Sequence, residues 1–229
     1  NAFRQPLAAI EDENLRRKLT PDYPLGGTRI PKSDVDYYKA VQQPNVTIET
    51  GSIARILPNG VELTDGSVCE FDVLVYATGF DGHSYMRPMN VEGLNGLTLD
   101  ELWKDRIYSY RGVALPGFPN LFMLYGPFAP VNNVPVPIGL EQEIDYILRV
   151  MEVARKRDAA VAPTTEATER FVAKLHAALP ETVFVHAANW YSDQQGTPIL
   201  WPFTQDEHKA LLADLDLDDL EFTPRAAAE

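Results

Sequence analysis

The feature that most constrains the fold is a continuous apolar run, Val73-Leu74-Val75-Tyr76, that stops at a glycine turn. A β-branched run without polar alternation is typical of a strand covered on both faces in a parallel sheet. Residues 120–125 form a second such run, and it stops at Gly126-Pro127. Open α/β sheets bind ligands beyond the carboxyl ends of their strands, where glycine lets the backbone approach a cofactor. The two runs therefore predict an α/β fold, and they are compatible with a ligand site, although loop glycines after strands are common in any case.

The chain before the first run predicts helices and an antiparallel meander. Residues 10–19 predict a helix that ends near Leu19, and residues 36–41 predict a short one. Four short runs rich in β-branched and apolar residues are separated by turn residues such as Pro58-Asn59-Gly60 and Asp65-Gly66. These runs predict strands: 46–49, 53–57, 61–63 and 68–71.

The chain after the second run predicts mainly helices. Apolar residues recur at helical spacing up to about Arg157 and predict a long amphipathic helix. Its expected inner face carries Leu140, Ile144, Ile147, Leu148 and Met151. Thr164 or Thr165 can cap the next helix. The tail from Asp206 is helical at first, and its acidic run 214–219 is interpreted as a solvated face or a fraying tail.

Charge and composition exclude several classes of partner. The 229 residues include 20 basic and 33 acidic side chains, a net charge of −13, which argues against nucleic acid and anionic membrane surfaces. No apolar run approaches the roughly 20 residues that cross a bilayer. The single cysteine, Cys69, cannot form an internal disulfide. We expect it to be buried, in a chain of a reducing, cytoplasmic compartment.

The sequence shows no pattern for a metal or for a hydrolytic triad. The spacing of the four histidines does not match that of zinc ligands, and no serine lies in a nucleophile elbow. We therefore predict no metal site. The histidines are interpreted as surface or packing residues: His83, His176, His186 and His208.

A series of short motifs gives a more specific signal. The motifs are Leu19-Thr20-Pro21-Asp22-Tyr23-Pro24, Gly26-Gly27-Thr28-Arg29, Asp36-Tyr37-Tyr38, Pro44-Asn45-Val46, residues 72–81, Leu102-Trp103-Lys104-Asp105, Tyr110-Arg111-Gly112-Val113, residues 117–123 and Gly126-Pro127. In this order, and over nearly the whole chain, they resemble the C-terminal part of Baeyer–Villiger monooxygenases, the class B flavin-dependent monooxygenases. Asn189-Trp190-Tyr191 and Leu200-Trp201-Pro202 resemble the branch that acts on aryl ketones and steroids.

The resemblance implies the C-terminal part of an α/β flavoprotein with two Rossmann-like domains, one for FAD and one for NAD(P). Residues 1–71 would end the NADP-binding domain and carry the meander, 72–160 would complete the FAD-binding domain, and 161–229 would form a helical segment with an acidic tail. The GxGxxG fingerprints of both domains do not occur in the sequence. The missing N-terminal half is therefore expected in the same chain or in another one.

The resemblance also implies an activity. Members of the family use NADPH to reduce FAD, trap O₂ as a flavin C4a-peroxide and insert one oxygen atom into a ketone, which gives an ester or lactone. Two other functions remain open. The chain could be a non-catalytic binding or scaffold module that kept the C-terminal half, or part of an N- or S-oxidising flavin monooxygenase.

One catalytic residue and one nucleotide-contacting residue follow from the resemblance. Arg29 lies where the family places an active-site arginine, whose permanent charge would keep a peroxide deprotonated and nucleophilic. The alternative interpretation of Arg29 is a surface salt bridge after a turn. Thr28 lies where the family commonly has a lysine that faces the 2′-phosphate of NADPH, and this departure weakens the inference of NADPH over NADH.

The remaining expected contacts are with the cofactors. Pro135 and Val136 match the backbone that meets the flavin pyrimidine edge, where a helix N-terminus would favour the charge of the reduced flavin. Trp190 aligns with a tryptophan that packs on the nicotinamide cofactor, although the segment after it differs from that of many members. The loop that passes FAD matches four consecutive residues: Ala77, Thr78, Gly79 and Phe80.

Overall fold

Residues 7–24, 26, 35–79, 82, 84–130, 135–186, 191–193 and 195–224 are described by a computed structural model. The chain divides into two units: Asn1–Tyr23 with Ile30–Phe80, and Pro24–Arg29 with Asp81–Glu229. In the described ranges, the first unit carries the two short α-helices given below and a three-stranded sheet, and the second carries four α-helices, three short 3-10 helices and a two-stranded sheet. The three functional domains expected from the resemblance stay a prediction.

The helices of the first unit are α1 (Glu13–Leu19) and α2 (Val35–Ala40). Asp12 caps the N-terminus of helix α1: its Oδ1 accepts the Leu15 N–H at 2.9 Å and so satisfies one free donor of the first turn. It carries Glu13 in the first turn and three basic residues in the last, as the helix dipole favours. The predicted end near Leu19 and the predicted short helix are both confirmed.

The sheet of the first unit consists of β1 (Ile53–Leu57), β2 (Gly60–Leu63) and β3 (Val68–Glu70), paired antiparallel in that order. Glycine is required at position 60, because a Cβ there would lie 2.0 Å from the Cys69 carbonyl oxygen. The predicted meander is confirmed for these three strands. The strand predicted over 46–49 is wrong, since the structure has none there. Cys69 is half-buried rather than buried.

The two apolar runs do not form the predicted buried strands. In residues 72–79 no strand is present, and the side chains of Val73 and Val75 are 76% and 78% exposed. Residues 120–125 contain one isolated bridge, between Phe122 and Ala114. A strand needs a neighbour on its hydrogen-bonding edge, and the described residues supply none to residues 72–79. Residues 120–125 have short antiparallel contacts instead of a parallel neighbour, because Phe122 bridges to Ala114 and the Met123 N–H donates to the Val113 carbonyl oxygen.

The second unit is built around three of its helices and a terminal strand pair. The elements are α3 (Leu99–Leu102), α4 (Val136–Lys156), β4 (Ala159–Pro163), α5 (Thr165–Ala178), α6 (Gln205–Ala213) and β5 (Leu220–Pro224). Threonine side chains cap the N-termini of α3, α5 and α6, and each accepts an N–H from the third helical residue: Thr98, Thr164 and Thr204. Strands β4 and β5 pair antiparallel over five residues each.

The main core lies between α4, α5, α6 and the aromatic residues of the loops. Tyr110, Phe171 and Trp201 are buried in it, with ring centroids 5.8 Å apart for Tyr110 and Phe171 and 6.5 Å apart for Phe171 and Trp201. A smaller core surrounds Trp103 and Leu115. Aromatic pairs at these distances add to the burial of apolar area, so the rings stabilise the unit strongly.

Helix α4 is apolar on two faces, and the predicted inner face is only partly right. The buried residues are Gly139, Glu143, Tyr146, Ile147, Val150 and Ala154. Ile144, Leu148 and Met151, which were expected to be buried, are exposed, Leu148 at 55%. A groove of about 460 Å³ runs beside Leu148 and Met151. A helix with two apolar faces is typical of a position between two layers, and the described residues cover one of them.

The acidic run 214–219 is exposed at Asp214, Asp216 and Asp218, as expected of a solvated face, but it is anchored at Asp219. Asp219 Oδ2 accepts the Tyr110 hydroxyl at 2.6 Å, and Oδ1 accepts from Arg170 at 2.5 Å. The guanidinium of Arg111, which is 5% exposed, lies 3.9 Å from Asp219 and donates to the carbonyl oxygens of Leu211 and Asp214. The next residue, Leu220, starts β5. The interpretation of this end as a solvated or fraying segment is therefore wrong at Asp219.

Candidate functional site

The N-terminus of α4 offers a place for a negatively charged group. Its cap, Pro135, makes no side-chain hydrogen bond, and the first turn contains no acidic residue. The N–H groups of Ile138 and Gly139 donate to the Pro135 carbonyl oxygen, whereas the Val136 N–H has no acceptor among the described residues. Val136 and Ile138 are also exposed. A free N–H and an uncompensated helix dipole at an exposed end of a 21-residue helix stabilise an anion.

Residues 125–130 form a tight turn, here called the glycine turn, shortly before α4. Tyr125 and Phe128 have positive φ angles of 61° and 70°, a conformation that ordinary side chains seldom adopt. The Gly126 N–H donates to the Gly112 carbonyl oxygen at 3.0 Å, and a Cβ on Gly126 would lie 2.5 Å from that oxygen. The Phe128 N–H donates to Ile199. Several elements of the unit thus hold the turn in its conformation.

Glu143 of α4 is fully buried and bonded to this turn. Its Oε2 accepts the Tyr125 N–H at 2.7 Å, while Oε1 is buried with no hydrogen-bond partner among the described residues. Burial raises the pKa of Glu143 to about 7, against the opposing effect of the Tyr125 N–H. Sequence reasoning missed this residue. The signal was present, because Glu143 lies three residues after Leu140 and four before Ile147, on the apolar face.

The predicted FAD loop lies in the other unit. Gly79 has a φ of +80°, and nothing described lies within 4 Å of where its Cβ would be. Ala77 and Thr78 precede it on an exposed segment, and residues 72–79 form no backbone hydrogen bond to another described residue. Free donors and acceptors on an exposed, glycine-ended backbone leave it open to a ligand.

Four of the predicted site residues lie outside the described part of the chain. These are Thr28, Arg29, Phe80 and Trp190. Their roles therefore remain predictions from the resemblance. Of the other five, Pro135 and Val136 share the α4 terminus, and Ala77, Thr78 and Gly79 share the exposed loop of the other unit.

Other titratable groups of the second unit have structural roles. His208 is 1% exposed, neither ring nitrogen has a hydrogen-bond partner among the described residues, and the ring packs edge-on against Trp201 at 5.2 Å. Burial lowers its pKa to about 4. Within the described ranges no three His, Cys, Asp or Glu residues are placed to hold a metal ion. No helix there has both the length and the apolar character to cross a membrane.

We predict that His208 makes the fold sensitive to acid. Its pKa is lower in the folded state than its ordinary value of 6.5, so the unfolded state binds more protons as the pH falls below 6.5. The free energy of unfolding should be about 2 kcal/mol lower at pH 5 than at pH 7 from this group. His208→Leu should remove that difference in thermal or urea unfolding. His186→Gln, at an exposed position, is the control, and an equal loss of pH dependence in it would contradict the assignment.

Comparison with known proteins identifies relatives of this chain. A Baeyer–Villiger monooxygenase of Streptomyces coelicolor is 31% identical over 234 residues, which cover 100% of this chain and 45% of that protein. The solved structure of a cyclohexanone monooxygenase from Rhodococcus sp. Phi1 bound to NADP⁺ superposes with a TM-score of 0.82 at 28% identity, over 97% of this chain and 44% of that one. The chain is a relative of the Baeyer–Villiger monooxygenases. The predicted resemblance and the α/β fold class are thereby confirmed.

A further relative is named as a monooxygenase. An uncharacterized monooxygenase of Mycobacterium tuberculosis is 36% identical over 226 residues, which cover 98% of this chain and 46% of the relative. No family model matches the chain. The chain spans a little under half the length of the Mycobacterium tuberculosis and Streptomyces coelicolor relatives. The expected likeness to the aryl-ketone and steroid branch remains a prediction.

Proposed function

We propose that this chain is part of an FAD- and NADPH-dependent monooxygenase that inserts one oxygen atom of O₂ into a ketone to give an ester or lactone. The observation that carries the proposal is the superposition on NADP⁺-bound cyclohexanone monooxygenase along 97% of the chain. The cofactors are supported by the NADP⁺ in that structure and by a 32% identical fungal relative, from Aspergillus niger, that is named as an FAD-binding monooxygenase and of which the chain covers 32%.

Each of the two units by itself offers a backbone feature that fits a flavin. The α4 terminus, whose Val136 N–H has no acceptor among the described residues and whose first turn has no acidic residue, suits the negatively charged edge of a reduced isoalloxazine ring. The loop at Ala77, Thr78 and Gly79 presents an open backbone for the close approach of a cofactor. When bound, FAD supplies the activation of O₂ after reduction by NADPH. The residues of this chain bind and orient the flavin and stabilise negative charge.

Two exposed apolar surfaces support the proposal that another part of the protein packs against this chain. They are the exposed segment 72–76 and the exposed face of α4 formed by Ile144, Leu148 and Met151. Both surfaces have the apolar composition of segments that are normally buried, and the relatives are more than twice as long as the chain. We propose that the missing N-terminal half, in the same chain or in another, covers them.

The test uses the full-length protein. Visible absorbance of the purified protein should show bound flavin, and incubation with NADPH, ¹⁸O₂ and a ketone should give an ester that carries one ¹⁸O atom. Acetophenone tests for activity on an aryl ketone, and cyclohexanone tests for activity on the cyclic ketone after which the matched structure is named. A colourless full-length protein would favour the scaffold alternative. Label found in an N-oxide or sulfoxide, with none in an ester, would favour the N- or S-oxidising alternative.

The choice between NADPH and NADH gives a further prediction. A lysine at position 28 would meet the 2′-phosphate with a full charge, whereas Thr28 offers one neutral hydrogen bond. Thr28→Lys in the full-length enzyme should therefore raise the NADPH/NADH ratio of kcat/KM several-fold, because charge-assisted hydrogen bonds are roughly twice as strong as neutral ones. The gain should shrink at high salt. Steady-state kinetics at two ionic strengths measure it, and an unchanged ratio would show that position 28 does not face the phosphate.

A further inference from the structure

Glu143 is placed to control the backbone of the glycine turn. It projects from the second turn of α4 and reaches back to the Tyr125 N–H at 2.7 Å. Tyr125 has a positive φ of 61°, and its hydroxyl donates to the Pro130 carbonyl oxygen at 3.0 Å. A single side chain therefore links the start of the turn to the helix whose N-terminus follows it. Among the described residues, no other acceptor serves the Tyr125 N–H.

We infer that Glu143 is a positioning residue of the flavin site: its carboxyl group fixes the glycine turn, residues 125–130, against the helix whose N-terminus is offered to the flavin. The inference rests on the proposed function. It concerns a residue that touches the turn and not the cofactor. A structural carboxylate would normally have both oxygens satisfied, whereas here one is bonded to the turn and the other is buried with no partner in the part of the chain that the structure describes.

The hydrogen bond from the Tyr125 N–H couples the conformation of the turn to the charge of Glu143. Burial raises the pKa of Glu143 to about 7, and the hydrogen bond from Tyr125 partly offsets this rise. The titratable group that faces it is Tyr125, whose own pKa is raised by burial, by Glu143 and by Tyr191 beyond it. Ionised carboxylates accept stronger hydrogen bonds than neutral carboxyl groups. FAD binding that holds the turn more firmly against Glu143 should therefore favour the ionised form of Glu143. Because Glu143 then loses its proton, FAD binding should release protons near neutral pH.

The first experiment measures the turn without any cofactor. Amide hydrogen exchange of peptides covering residues 121–130 is followed in the full-length apoprotein. Glu143→Leu, which has a similar size but no acceptor, should speed exchange in this segment about tenfold. Glu143→Gln, which keeps an oxygen acceptor, should restore slow exchange. Glu141→Gln is the matched control, because Glu141 is exposed on the same helix. Equal exchange in all four proteins would overturn the inference.

The second experiment measures FAD affinity in the full-length protein. At pH 7, Glu143→Leu should weaken FAD binding about tenfold, whereas Glu143→Gln, which keeps an acceptor for the Tyr125 N–H, should weaken it by no more than about twofold, and Glu141→Gln should match wild type. Between pH 6 and pH 8 the wild-type affinity should rise several-fold, while that of Glu143→Gln should stay flat. This profile also decides the matter if Glu143→Leu fails to fold.

The outcomes separate this inference from the proposed function. A wild-type protein that binds FAD and oxidises a ketone, but has the same pH profile as Glu143→Gln, refutes the role of Glu143 and leaves the proposed function standing. Faster exchange in Glu143→Leu with unchanged FAD affinity also refutes it, because the turn would then not serve the cofactor. A full-length protein that never takes up FAD refutes the proposed function and, with it, the flavin role of Glu143.

Discussion

Replacing Asp219 by alanine is expected to lower the free energy of unfolding of the second unit by about 3–5 kcal/mol, because it leaves a buried guanidinium without its carboxylate. Arg111 is 5% exposed and stacks on the rings of Tyr110 and Tyr146 at 5.1 and 5.4 Å. It cannot lose its charge. The same substitution removes the acceptor of the Tyr110 hydroxyl, so two buried groups lose a partner together.

Urea unfolding, followed by the fluorescence of the tryptophans, measures the effect. Asp218→Ala is the matched control, because Asp218 is an exposed neighbour that carries the same charge. Asp219→Asn should lose less than Asp219→Ala, since an amide oxygen still accepts the Tyr110 hydroxyl. If Asp219→Ala and Asp218→Ala unfold at the same urea concentration, the anchoring role of this residue is refuted.

Replacing Arg29 by alanine in the full-length enzyme is expected to lower the rate of oxygen transfer on the order of 10²-fold or more, while flavin reduction by NADPH persists at least in part. The reason is that a preorganised, permanently charged donor stabilises negative charge that develops on oxygen during transfer, and removal of one such donor typically has this effect. Lysine at this position keeps the charge but not the planar fork of donors, so Arg29→Lys should recover only part of the rate.

Stopped-flow absorbance separates the two half-reactions. Anaerobic mixing with NADPH measures flavin reduction, and mixing of the reduced enzyme with O₂ and ketone measures ester formation. Uncoupled consumption of NADPH should rise in Arg29→Ala as ester yield falls. Normal ester yield in this variant would support the alternative interpretation, a surface salt bridge.

Helices were predictable because their signals are local. Thr164 caps α5, Leu19 ends α1 before a turn-rich stretch, and the long apolar periodicity marks α4. Hairpin turns such as Asn59-Gly60 act over equally short distances, which explains why the meander was found. In each case the residues that decide the structure lie within a few positions of one another.

What the sequence did not reveal depends on contacts between distant residues. Strands β4 and β5 pair Val161 with Phe222, 61 residues apart, and neither segment carries a turn signal that joins them. Residues 72–76 have the composition of a covered strand but no neighbour among the described residues. Glu143 was overlooked because a carboxylate on an apolar face is read as solvent-facing until its partner, the Tyr125 N–H, is known. The expected cofactor-binding residues were predicted from the family resemblance, because local sequence patterns do not identify them.

The exposed segment 72–79 has a consequence for handling the chain by itself. Its backbone makes no hydrogen bond to another described residue, and Val73 and Val75 point their side chains outward at more than three-quarters exposure. A short β-branched run with free donors and acceptors is a template for pairing with any other extended chain, including a copy of itself. Produced without a covering partner, the chain should self-associate through this segment. A charged residue at Val75 would act as a gatekeeper against that aggregation, at the expense of its later assembly into a complete sheet.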